Sequence, residues 1–223
     1  MFEQAEQSTA SLVVLGDFAP TIFHPRWFHD YGLLGKGETN ESVDDKNFTL
    51  VPHLANFKVG QFEFQITRER FQVTTNREDY FEPMRDLAQG TFSILDNSPV
   101  RAIGFNWGVH IRTGSEAAWH AVGDRLTPKA NWKELWPKHI GMQDVSMRLD
   151  RDDQFVGAIN VSVQPSFTLQ YAVYIGINDH FDFSAKESFK ASDAAQFIKT
   201  EWQKGQDRAK IILEGIYSRF IKQ

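Results

Sequence analysis

Phe62-Glu63-Phe64-Gln65-Ile66 alternates apolar and polar residues, Arg68-Glu69 interrupts the run, and Phe71-Gln72-Val73 resumes it. Residues two apart along a strand share a face, so this reads as a strand, a charged turn and a second strand with one apolar side. Thr75-Asn76-Arg77-Glu78 then has the form of a capping box, in which the threonine oxygen accepts from a first-turn amide and the glutamate reaches back to the cap. Beyond it Phe81, Met84, Leu87, Ala88, Phe92 and Leu95 recur at helical spacing.

The same sentence is written again at the C-terminus. Tyr171, Val173, Ile175 and Ile177 alternate, a Phe181 to Phe183 tail follows, and Ser192 stands before an amphipathic helix expected to run nearly to Gln223. Ile198, Trp202, Ala209, Ile212, Leu213, Ile216, Tyr217 and Phe220 form its apolar stripe, with Gly205 inside it. Strands running into a helix, twice, suggest a single α+β domain of residues 1–223 containing two pseudo-repeats, about 11–96 and 100–223. Hairpin-linked strands interrupted by helices predict a largely antiparallel sheet with helices packed on one face and a long C-terminal helix. A duplicated saddle-like sheet and a helix-gripping curved sheet both satisfy this order. No Pro-, Gly- or Ser-rich linker divides the chain.

Outward from these copies, Ser11 to Phe18 reads as a first strand whose continuous Leu12-Val13-Val14-Leu15 run implies burial on both faces. Pro25 suits the first position of a short helix holding Trp27, Phe28 and Tyr31, stopped by Gly32. The polar stretch Gly35 to Asn47 reads as a mobile loop. Ile103, Phe105, Trp107, Val109 and Ile111 alternate in a strand after Asn97-Ser98-Pro99, and a helix from about Ser115 carries Ala118, Trp119, Val122 and Leu126. Pro128 and Pro137 bracket a turn with Trp132, Leu135 and Trp136. Val145, Met147 and Leu149, then Phe155, Ile159, Val161 and Val163, are strands on either side of the Asp150 to Asp153 turn, and another strand begins near Phe167.

Composition narrows the function classes. The chain has 223 residues, 41% hydrophobic and 24% charged, which is ordinary globular usage. Its 19 Phe and 6 Trp read as core payload. A net charge of -5 argues against bulk electrostatic binding of nucleic acid. There is no cysteine, so disulfides and thiolate chemistry are excluded. The N-terminus has no signal-peptide pattern and no apolar run spans a bilayer, so a cytoplasmic location without membrane attachment is expected.

The Arg101-Ala102-Ile103-Gly104-Phe105-Asn106 strand, set between strand and helix segments with an aromatic-rich strand-to-helix ending, resembles a sporadically distributed, uncharacterised bacterial protein family of similar length. The resemblance covers Phe62 to the C-terminus and departs at Phe105, where the family pattern favours a second arginine. It implies a bacterial cytoplasmic protein and carries over no catalytic residue.

Functional groups gather on the faces opposite the apolar ones. Asn106, His110 and Arg112 share one, Asn160, Ser162 and Gln164 another, and Gln170, Tyr174 and Asn178 a third, thinned by Gly104, Gly108 and Gly176. Merged, they make a polar sheet face with glycine-made space for a protein partner or small ligand; the ordinary alternative is a face turned to water. His24, His29, His53, His110, His120, His139 and His180 lack zinc-site spacing, and Asn178-Asp179-His180-Phe181-Asp182 reads as a loop rich in potential ligands. No metal or cofactor is expected. No nucleophile elbow or phosphate loop is present, and Asp44-Asp45 and Asp152-Asp153 sit in apparent turns where carboxylates keep ordinary pKa values. The expected function is a non-enzymatic interaction subunit of a bacterial complex, acting through the polar face or terminal helix, with self-association among its partners. The alternatives are a small-molecule or nucleotide sensor or enzyme, anchored by His110 and Arg112 between sheet and long helix, and nucleic-acid binding through that helix.

Overall fold

A computed structural model describes residues 2–186 and 188–222. Nine strands form one sheet: β1 (Gln7–Gly16), β2 (Thr49–Val51), β3 (Leu54–Val59), β4 (Phe62–Thr67), β5 (Arg70–Thr75), β6 (Val100–Arg112), β7 (Val145–Leu149), β8 (Gly157–Pro165) and β9 (Ala172–Asp182). The helices are α1 (Pro25–Asp30), α2 (Lys36–Val43), α3 (Phe81–Leu95), α4 (Glu116–Leu126), α5 (Ala130–Leu135) and α6 (Ala191–Ile216). Every ladder is antiparallel. The fold is α+β with the helices on one face of the sheet, as the two strand-to-helix copies imply.

The strand order is β2-β3-β4-β5-β1-β6-β9-β8-β7, which follows one rule on both sides of the central β1–β6 pair. On each side a first strand is followed by two helices, then an antiparallel meander that returns to pair with that first strand, then a longer helix. α3 closes one side and α6 the other, and the two pack together beneath the sheet.

Alternation explains the layering. Ala10, Leu12 and Val14 of β1, Phe64 and Ile66 of β4, Phe105, Trp107 and Val109 of β6, and Ile175 and Ile177 of β9 are buried on the helical side. From the helices, Met84, Leu87, Ala88 and Phe92 of α3 and Ile198, Trp202, Ala209 and Leu213 of α6 meet them. The aromatics are core on both sides: Phe57 stacks on Phe64 at 4.9 Å, and Phe105 meets Trp202 at 5.2 Å. Each such fully buried side chain contributes about 1.5–3 kcal/mol. The region between sheet and α6 is filled, with Gly205 letting the helix approach so closely that a Cβ there would lie 2.8 Å from the Trp107 ring.

Several local expectations change. β1 begins at Gln7 and is buried on one face only, since Leu15 is 36% exposed and Val13 half-buried; its apolar run reflects one core face plus a shallow hollow on the other. Gly35 to Asn47 contains a helix, α2, because Thr39 and Ser42 are buried against the fold and the Thr39 hydroxyl donates back to the Gly35 carbonyl at 3.1 Å. Thr75 accepts from the Arg77 amide at 3.3 Å, a 3₁₀ turn at Glu78–Tyr80 intervenes, and α3 starts at Phe81 rather than directly after Thr75. α6 starts one residue before Ser192, and its box is closed by Asp193, whose carboxylate accepts from the Lys190 amide at 3.1 Å. Trp132 and Leu135 lie in the short helix α5 rather than a turn. β9 starts at Ala172, leaving Phe167 in the preceding connection.

The Asn178 to Asp182 group is part of β9, not a loop, so alternation sends Asn178 and His180 to the open face and Asp179 into the core. Asp179 is 1% exposed and holds two arginines: Arg151 on one oxygen and Arg208 of α6 on the other at 2.7 Å. Arg151 also donates to Asp153 at 2.9 Å and lies over the Phe181 ring at 3.9 Å. Asp153 is therefore not an exposed turn carboxylate: its hydrogen bonds with Arg151 hold its pKa below the ordinary value. This cluster ties the 151–153 turn, β9 and α6 together, fixing the sheet that carries the open face.

Candidate functional site

With all helices on one side, the other side of the sheet is a continuous surface of side chains. Its centre is a row in which Ser11, Asn106, Asn178, Asn160 and Arg148 stand opposite one another on consecutive strands β1, β6, β9, β8 and β7. The row continues the other way through Thr74, Glu63 and Lys58 to β3. Within it the amides are chained: Asn178 donates to the Asn106 carbonyl oxygen at 2.6 Å, and Asn160 donates to Asn178 at 3.0 Å. Asn106 in turn donates to the Ser11 carbonyl at 3.4 Å. An amide offers two N–H donors and two acceptor sites, so each link leaves further capacity on the groups that make it.

A second row, Thr9, Gly108, Gly176, Ser162 and Ser146, runs beside the first. Its glycines have a specific use. A Cβ on Gly108 would lie 2.6 Å from the Tyr174 hydroxyl oxygen, and one on Gly176 would lie 2.9 Å from the Ser162 hydroxyl and 3.0 Å from the Tyr174 ring. The Tyr174 ring occupies the space they leave. Glycine-made room therefore seats a tyrosine, and the hollow that remains open lies beside it. Burial raises the Tyr174 pKa and lowers that of His110, whose ring sits 4.9 Å from the tyrosine and whose Nδ1 is 2.8 Å from the Ser166 hydroxyl.

These rows floor a concavity of about 430 Å³ lined by Thr9, Ser11, Asn106, Ser146, Arg148, Asn160, Ser162, Tyr174 and Asn178, among others. A second, of about 340 Å³, is lined by Arg70, Val13, Gly104 and His180 and shares Ser11, Asn106 and Asn178 with the first. Together they form one oblique trough across the sheet.

Of the residues expected to merge into a polar face, Asn106, Asn160, Ser162, Tyr174 and Asn178 come together in this trough. His110 borders it behind Tyr174, and Gln164 faces Tyr174 across the β8–β9 ladder. Arg112 lies at the strand end, ion-paired to Glu6 at 2.7 Å, and Gln170 is in the turn before β9, where its carbonyl accepts from Arg112. His110 and Arg112 are on the face away from α6, so they do not anchor a site between sheet and helix. Thr9, Ser11, Ser146, Arg148 and Arg70 were not anticipated. Alternation against Ala10-Leu12 and Val145-Met147-Leu149 marks all but the last, and Arg70 alternates with Phe71 in the same way.

Among the described residues no group of three or more His, Asp or Glu side chains is placed to hold a metal ion. No helix among them is long and apolar enough to cross a membrane. No protein-family model matches the chain and no curated protein is similar to it, so the site is read from its geometry alone.

Proposed function

We propose that this chain is a binding subunit whose open sheet face docks a protein partner. The observation that carries the reading is the trough itself: a polar floor crossing five strands, the middle three chained by the Asn106, Asn178 and Asn160 amides, with unfilled hydrogen-bonding capacity and no helix above it among the described residues. An antiparallel sheet turned to water needs only a polar face. Here the polar face is concave, its side chains are ordered against each other, and the sheet behind it is fixed by a buried ion-pair cluster. Pre-ordered contact groups lower the entropic cost of association. The filled space between sheet and α6 favours this face over a ligand site beneath the long helix. A cytoplasmic setting belongs to the same proposal.

The test is purification of the tagged chain from its source cells at mild salt, followed by native mass spectrometry, for the wild type and for Ser162→Trp. Ser162 is half-buried in the floor, and a bulky ring there fills the trough without touching the core. A stoichiometric partner present on the wild type and absent from Ser162→Trp supports the reading. A partner retained by both removes the open face as its docking surface.

A further inference from the structure

The charge of the trough is unlike that of the molecule around it. The chain carries 29 Asp and Glu against 24 Lys and Arg, yet among the described residues no carboxylate lines either part of the trough, and the charged side chains that do are Arg70 and Arg148. Neither arginine forms an ion pair among the described residues. They stand at opposite ends: β5 and β7 are separated by five strand spacings, roughly 24 Å across the sheet. The floor between them is amide and hydroxyl.

We propose that the occupant of this trough is an extended, acidic segment of a partner protein, held along its main chain by the Asn106–Asn178–Asn160 row and at its acidic side chains by Arg70 and Arg148. This rests on the open face being the docking surface. Each element of the chemistry selects the class. Asparagine amides pair donor and acceptor in the way a peptide group does, so a row of them reads backbone rather than sequence. A strand rises about 3.4 Å per residue, so about eight residues bridge the two arginines. Guanidinium groups without a partner favour carboxylates, which they take in bidentate geometry. The trough's length exceeds what a single small molecule would span.

A single-stranded nucleic acid is the competing polyanion, and the surface suits it poorly. Such strands are held by exposed aromatic faces on which bases stack and by many cationic contacts to phosphate. The aromatic side chain here, Tyr174, is packed down over Gly108 and Gly176.

The experiment is fluorescence anisotropy at low salt with three labelled probes of matched length, about eight units each: an alternating Asp/Ser peptide, an alternating Lys/Ser peptide and oligo-dT. The expected result is binding of the acidic peptide, at least tenfold weaker binding of the lysine peptide, and a loss of about tenfold for the acidic peptide with Arg70→Glu/Arg148→Glu. Both arginines are exposed and unpaired, so the double variant is expected to melt with the wild type, and its melting curve is recorded alongside. Equal binding of the two peptides, no binding of the acidic one, or unchanged affinity in a folded double variant overturns the proposal. Tighter binding of oligo-dT overturns it in favour of nucleic acid. A partner displaced by Ser162→Trp but indifferent to Arg70→Glu/Arg148→Glu refutes the acidic occupant while leaving the open face as the docking surface.

Discussion

If Gly108 and Gly176 are glycines because Tyr174 lies across them, then adding one methyl group and removing the tyrosine must be coupled. Gly108→Ala places a Cβ 2.6 Å from the tyrosine oxygen, 2.8 Å from Cε2 and 3.1 Å from Cζ. Real Cβ atoms essentially never come within 3.0 Å of another heavy atom, and the His110 ring, its centroid 4.9 Å from that of the tyrosine, flanks the ring. The ring must lift as a body out of a half-buried seat. Overpacking of this kind costs about 1–3 kcal/mol, and alanine's better strand entropy offsets only about 0.5–1 kcal/mol of it. The balance is a net loss of up to about 2.5 kcal/mol, each kcal/mol of which corresponds to roughly 2–4 °C in Tm for a chain of this size. In a Tyr174→Ala background the obstacle is gone, and Gly108→Ala is expected to be neutral or stabilising by up to about 1 kcal/mol. The assay is urea unfolding of the four proteins of the double-mutant cycle, with a coupling of at least about 1 kcal/mol expected. Equal costs of Gly108→Ala with and without Tyr174 would refute the assignment of the glycines to the tyrosine and return that space to a ligand.

Two further outcomes follow from the charged groups. Asp179→Ala leaves Arg151, whose side chain is 3% exposed, with only Asp153 and the His180 carbonyl, while Arg208 at 20% can reach water. The expected loss is about 3 kcal/mol, the lower end of what breaking a buried pair costs, and a loss below about 1 kcal/mol in urea unfolding would contradict the cluster's structural role. Acidification should weaken the fold in two stages. His110 has a folded pKa depressed below 6.5, so the unfolded chain binds its proton first; its contribution is complete above 6.5 and is lost as pH falls through the folded value. Asp153, also depressed, contributes above its ordinary 3.8 and loses that contribution at still lower pH. Urea midpoints followed downward from neutral pH should show the first stage in the wild type and a smaller one in His110→Gln; identical profiles would remove His110 from the account.

How much of this was legible depends on range. The face carried by β6 and β9 could be read because Ile103 to Ile111 and Val173 to Ile177 alternate strictly, so Asn106, Tyr174 and Asn178 had one side left to occupy. The face of β1 is readable only as far as Ser11, because beyond it Val13 and Leu15 project into the hollow near Arg70 and make the strand look apolar on both sides. α2 was hidden by its own chemistry: its buried residues are Thr39 and Ser42, which carry no hydrophobic periodicity. Asp179 shows the limit most clearly. Alternation with Ile175, Ile177 and Phe181 puts it on the apolar side, but its partners Arg151 and Arg208 lie 28 and 29 residues away along the chain and nothing local names them. The amide row has the same character: its residues are visible one strand at a time, but their opposition requires the strand order. The role of Gly108 and Gly176 was misread because the sequence shows that space is made and not what fills it.

The most direct test of the open face is covalent side-chain footprinting of the chain alone and bound to the partner that co-purifies with it. Tyr174, His180 and Arg148 report on the trough, while Leu135, Trp132 and Ile211, at 75%, 58% and 68% exposure, report on surfaces outside it. Protection of the first group with the second unchanged is the predicted result. Protection of Trp132 or Ile211 with Tyr174, His180 and Arg148 unchanged would place the partner elsewhere and contradict the account.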